Sequence, residues 1–255
     1  LTEEKIMLTV RLLISGLIIM AFGIVTMPIA KSDELTINTS NLTDILDGGM
    51  LYDNWISVLE ADKPGATHAL WPASNTKKKG GTTWRCKSCH GWDFMGKDGA
   101  YASGSYKTGI KGIRASAGKA PAEVAKMLRG PKHGYTAAMI PDAALNKVAL
   151  FVAKGQYSLD VYIDRASKKA KGNVAIGKVF YDTSCNRCHG DDGREMNFKT
   201  PDKPEYLGTL SNGNPWETIN KIRHGQPDSQ MPALGALGLQ TMADILAYLQ
   251  TLPLK

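Results

Sequence analysis

At 255 residues the chain has room for two modest domains and a leader, yet only 43% of it is hydrophobic and 7% aromatic, with 26 glycines and 12 prolines. That is thin for a protein-only core of this size. The formal charge of +7 is concentrated in residues 32–171, while residues 172–255 are slightly acidic; this argues against a nucleic-acid binder and leaves an acidic partner, an anionic surface or ordinary solvated lysines for the first half.

Lys5 and Arg11 lead into an uncharged apolar stretch, Leu12–Ala30, close to the ~20 residues that span a bilayer. Residues 1–31 read as an uncleaved membrane anchor or as an export signal, and either keeps the basic flank inside and exports the remainder. A polar spacer, 32–43, follows. A first domain is expected over 44–163. It opens with Gly48-Gly49-Met50-Leu51-Tyr52-Asp53, the end of a short amphipathic helix, and then carries an insert, 54–85, with His68, Trp71, Trp84 and the run Lys77-Lys78-Lys79. His68 reads there as an exposed or hydrogen-bonded loop histidine.

Directly after the insert stands Cys86-Lys87-Ser88-Cys89-His90. Two cysteines three apart with a histidine at once behind them form the pattern of covalent haem attachment: the thiols add across the two vinyl groups, and the histidine ligates the iron. The pentapeptide recurs as Cys185-Asn186-Arg187-Cys188-His189, and the two copies use all four cysteines of the chain. A thioredoxin-like pair requires no histidine and needs a βαβ context that is missing here. A zinc site of paired Cys-x-x-Cys type separates its halves by about 15–20 residues, not by nearly a domain. Two haem c groups are therefore expected, their porphyrins making up part of the apolar deficit.

Between the motifs, the glycine- and tyrosine-rich segment 91–118 brings Trp92, Phe94, Tyr101 and Tyr106, which with Trp84 are expected to pack round the first haem. Residues Met127 to Met139 parallel Lys221 to Met231, and each stretch precedes a proline and an apolar helical run, 144–153 and 241–252. A polar connector, 164–171, leads to a second domain over 172–255, where Gly177-Lys178-Val179-Phe180-Tyr181-Asp182 repeats the opening of the first. Met139 and Met231, at matching positions, are the expected sixth ligands. A thioether favours ferrous iron and raises the potential, and the proline just beyond fixes the chain that carries it. His133 and His224 also recur at comparable positions and are the rival ligands; bis-histidine centres would have lower potentials.

With these residues in place the chain resembles class I cytochromes c, and in particular dihaem cytochromes with two such domains in tandem. The resemblance rests on Cys86, Cys89, His90 and Met139, on Cys185, Cys188, His189 and Met231, and on Gly177, Tyr181 and Tyr248. It implies an all-α fold of two haem-wrapped domains after the N-terminal hydrophobic segment. It further implies single-electron transfer in the periplasm, free or tethered, between a donor dehydrogenase or quinol-oxidising complex and a terminal acceptor. Two alternatives stand beside it: a dihaem oxidoreductase such as a peroxidase, which needs an iron with an open position, and a cytochrome subunit of a membrane oxidase or dehydrogenase complex.

Overall fold

The computed structural model describes residues 39–255, which belong to one compact unit, Ile37–Lys255. The expected anchor or signal, 1–31, and the spacer up to residue 38 lie outside the described residues. Among those described, no helix is long and apolar enough to cross a membrane, and there are nine α-helices, several single 3-10 turns, isolated bridges and no strand. The expectation of a helical fold agrees with this.

Helix α1 spans Thr39–Val58 and is interrupted at Asn54, whose φ of −153° and ψ of 76° leave the helical region. Its Leu51, Tyr52 and Trp55 lie one turn apart and are buried. The insert then runs through loops to α2, Cys86–His90. Pro121, preorganised for a first turn, starts α3, Pro121–Arg129, which buries Val124 and Leu128. The apolar run expected over 144–153 forms α4, Asp142–Leu150, and then widens into a π-helical turn, Phe151–Gly155.

The second half repeats this order with one helix added. Asn173 caps α5, Val174–Ser184, its side chain accepting from the N–H groups of Ala175 and Ile176. Helix α6 is Asn186–His189, α7 is Leu207–Gly213, and α8 is Pro215–His224, again with proline at its first position. Helix α9, Leu239–Leu249, buries Met242, Ile245, Leu246 and Leu249 at three- and four-residue spacing.

Two helix crossings depend on glycine. A Cβ on Gly48 of α1 would run into the carbonyl of Lys147 on α4, and one on Gly177 of α5 into the carbonyl of Asp244 on α9. The two positions aligned in the sequence repeat thus make the same close approach, the opening helix of each half lying backbone to backbone on its closing helix.

The two halves share apolar packing. The larger core gathers Tyr52, Trp55, Phe94 and Phe151 of the first half, and Trp216, Ile219 and Leu246 of the second also belong to it; a smaller core holds Tyr181, Ile222, Met242 and Ile245. Polar groups stitch the seam between them. Asn220 donates to the carbonyls of Trp92 and Trp216 at 2.8 and 2.7 Å and accepts from the Tyr157 hydroxyl at 3.0 Å. Asp53, at the end of the regular part of α1, takes both Arg85 and Lys221 as ion-pair partners. The polar connector is itself fastened, since Arg165 reaches Asp93 at 2.7 Å and Asp160 at 2.6 Å.

Candidate haem-binding sites

Each Cys-x-x-Cys-His sequence forms one short helix that ends on a glycine in the left-handed region, Gly91 at φ 82° and Gly190 at φ 76°. The N–H of Gly91 bonds the carbonyl of Lys87, and that of Gly190 the carbonyl of Asn186. A tyrosine from the opening helix clasps each turn. The Tyr52 hydroxyl donates to the Gly91 carbonyl at 2.7 Å, and the Tyr181 hydroxyl donates to the Gly190 carbonyl. Six residues after the second cysteine's histidine begins, the chain returns: Gly96 N–H bonds the His90 carbonyl and Glu195 N–H the His189 carbonyl. Sequence alone identified Tyr181; Tyr52 was visible only as its counterpart in the repeat.

Beside the first motif lies a cavity enclosing about 780 Å³ of empty space, part of it open to solvent. Cys86, Cys89 and His90 line it, with apolar walls from Val124, Leu128, Val148 and Val152. His133 lines it as well, its ring centre 6.2 Å from that of His90. His90 gives its Nδ1–H to the Lys111 carbonyl at 2.8 Å, and burial drives its pKa down to about 4, so the ring is neutral. Burial also pushes the thiols up, Cys86 to about 11 and Cys89 to about 12. A redox-active pair keeps at least one thiol low, and these are the reverse.

Met139 is placed elsewhere. It is half-buried against the larger core and lines a separate depression with Leu59, Glu60, Asp62 and Pro141, away from the residues that line the cavity of His90. The physical reason is the turn Thr136–Ile140: the hydroxyl of Thr136 takes the N–H of Met139, and its carbonyl takes the N–H of Ile140, which is buried in Met139's stead. His224, the other rival ligand, belongs to the seam. It is buried against Phe151, edge-on at 5.2 Å, with Nδ1 on the Leu46 carbonyl.

The second site is more open. Cys185 is half-buried, Cys188 exposed, and His189 packs edge-on against the exposed Phe198 at 6.1 Å between ring centres. The Nδ1 of His189 is buried without a hydrogen-bond partner. Met231 is half-buried in the loop between α8 and α9, its N–H on the Ser229 hydroxyl at 3.2 Å. That loop leaves α8 through Gly225, at φ 80°, whose missing Cβ makes room for the Met231 carbonyl.

Residues 172–249 match the family model described as Cytochrome C oxidase, cbb3-type, subunit III. This segment is cytochrome c-like. Neither the curated proteins nor the solved structures gave a match to the chain.

A cytochrome c domain implies covalently bound haem c and haem-based electron transfer, and the residues present fit that group. Within the cytochrome c-like segment the two thiols and the histidine share one turn. In the first half a large apolar cavity adjoins the same constellation. Among the described residues no three side chains of His, Cys, Asp or Glu converge as a metal cluster.

His68, expected as an exposed or hydrogen-bonded loop histidine, is the hydrogen-bonded one. It is buried, accepts the N–H of Leu70 at Nδ1, and gives its Nε2–H to the carbonyl of His133 at 3.1 Å. Its partner is a backbone group 65 residues away, for which the sequence carries no signal.

Proposed function

We propose that this chain is a dihaem c-type cytochrome that passes single electrons between redox partners. The observation that supports it most is the repetition within one fold of a Cys-x-x-Cys-His turn clasped by a tyrosine hydroxyl, one copy lying in the cytochrome c-like segment. Haem c, when bound, supplies a one-electron iron couple. Cys86 and Cys89, and Cys185 and Cys188, are the thiols that hold the two groups. His90 and His189 would each supply an imidazole nitrogen to an iron, and Met231 would supply a thioether to the second. Val124, Leu128, Val148 and Val152 line the first site with apolar surface, which lowers the polarity around the group they would enclose. The setting is the periplasm, with the 1–31 segment as signal or tether. The partners are a donor dehydrogenase or quinol-oxidising complex and a terminal acceptor, met through brief, charge-guided contacts.

Haem content after denaturation tests this: two haems per chain are expected, and replacing Cys86 and Cys89, or Cys185 and Cys188, by alanine should each remove one. One haem in the unaltered protein would refute the dihaem reading.

The family match favours a second reading of the same chemistry, a cytochrome subunit of a membrane oxidase complex. Recovery of a stoichiometric partner from detergent-solubilised membranes supports the subunit; recovery of the chain alone supports a free carrier.

A further inference from the structure

We propose that His133, and not Met139, is the second axial ligand at the first site, so that the chain pairs a bis-histidine iron with a histidine–methionine iron. This rests on the two-haem reading above.

Three independent observations place His133 there. The first is separation. Two imidazoles bound to one metal through nitrogens at about 2 Å have ring centres about 6 Å apart, and the rings of His90 and His133 lie 6.2 Å apart across a cavity that also receives both thiols of the motif. The second is protonation. Both rings face a backbone carbonyl through Nδ1, His90 that of Lys111 and His133 that of Met127 at 3.1 Å. A carbonyl only accepts, so Nδ1 carries the proton in each ring and Nε2 is left with its lone pair free. Metal-binding histidines are held this way, by a second bond that fixes the tautomer. The third is support. The backbone of His133 is held by His68 of the insert, and the Nδ1 of His68, accepting from Leu70, leaves its Nε2 as the donor.

The methionines are worse placed. Met139 lines a different depression. Met127 does reach the cavity from the last turn of α3, but 43% of it is exposed and its carbonyl is already the anchor of His133.

The decisive measurement is the methionine-to-ferric-iron charge-transfer absorbance of the full-length, haem-loaded protein, divided by haem content determined separately. The expected band is worth one haem for every two, and Met139→Leu and Met127→Leu leave it unchanged. His133→Ala should make half the haem high-spin, and added imidazole should restore the low-spin spectrum. His133→Met should double the band and raise the midpoint potential of the first haem. A band worth two haems, or loss of half of it in either leucine variant, overturns the assignment, as does an unchanged spin state in His133→Ala. Should the His133 variants not fold, the unaltered protein and the leucine variants decide alone. A haem content of one per chain, by contrast, strikes the two-haem reading itself.

Discussion

A histidine whose Nδ1–H goes to a backbone carbonyl keeps its Nε2 as a lone pair, and His90, His133 and His224 are all fixed this way. Surroundings then separate them. His90 and His133 share a cavity, whereas His224 is packed into the seam, where burial and the neighbouring Arg223 guanidinium lower its pKa to about 3. The unfolded chain takes up this proton near 6.5 and the folded protein resists until about 3, so between those values acid draws the equilibrium towards unfolding. His224→Asn should therefore flatten the pH dependence of stability in that window by up to one proton, about 1.4 kcal/mol per pH unit. Urea titrations at pH 6.5 and pH 4.5 would show it; equal slopes in both proteins would mean that the ring is charged in the folded state. At the second site, Met231→Ala should leave the haem attached and lower its potential, which a redox titration reads directly. An unchanged potential would assign that position to another group.

Among the elements, the paired crossings of α1 on α4 and α5 on α9 set the tightest tolerance. Gly48→Ala and Gly177→Ala each force a methyl group against a carbonyl of the opposite helix and should cost about 1–3 kcal/mol or more, seen as a fall in Tm of several degrees. Gly213→Ala at the end of α7 meets nothing within 4 Å and should leave Tm within a degree or two, as a control. Much of this level could be read in the sequence. Glycine and tyrosine at matching places in the repeat mark the crossing and the clasp, and apolar periodicity marks the closing helices. The path of the loop 127–139 in the first half could not be read. Its thirteen-residue likeness to the second half makes Met139 the natural counterpart of Met231, but a local turn at Thr136 redirects it, and His133, six residues earlier, takes the cavity. Neither the turn nor the clamp from His68 has a pattern in the chain, because in both a side chain meets a backbone group.

In the whole molecule, the two halves are joined by a shared core and a charged junction. Burial raises the pKa of Asp53, but the Lys221 ammonium and the Arg85 guanidinium outweigh it and hold the carboxyl below its ordinary value. This contribution is present above the unfolded value of 3.8 and is lost as the pH falls below it. Asp53→Asn leaves two cations without their partner and should destabilise by about 3–5 kcal/mol. Because Trp216 and Ile219 belong to the same core as Trp55, both halves should melt in a single calorimetric transition. Two resolved transitions would show a seam too weak to couple them. The fastening of the His133 backbone by His68 carries a toxicological consequence. Cyanide, azide and carbon monoxide bind a six-coordinate iron only by displacing a ligand, and a ligand loop strapped from outside the site resists that displacement. If His133 closes the first site as proposed, a cell relying on this chain should find that centre indifferent to the small poisons that stop a terminal oxidase.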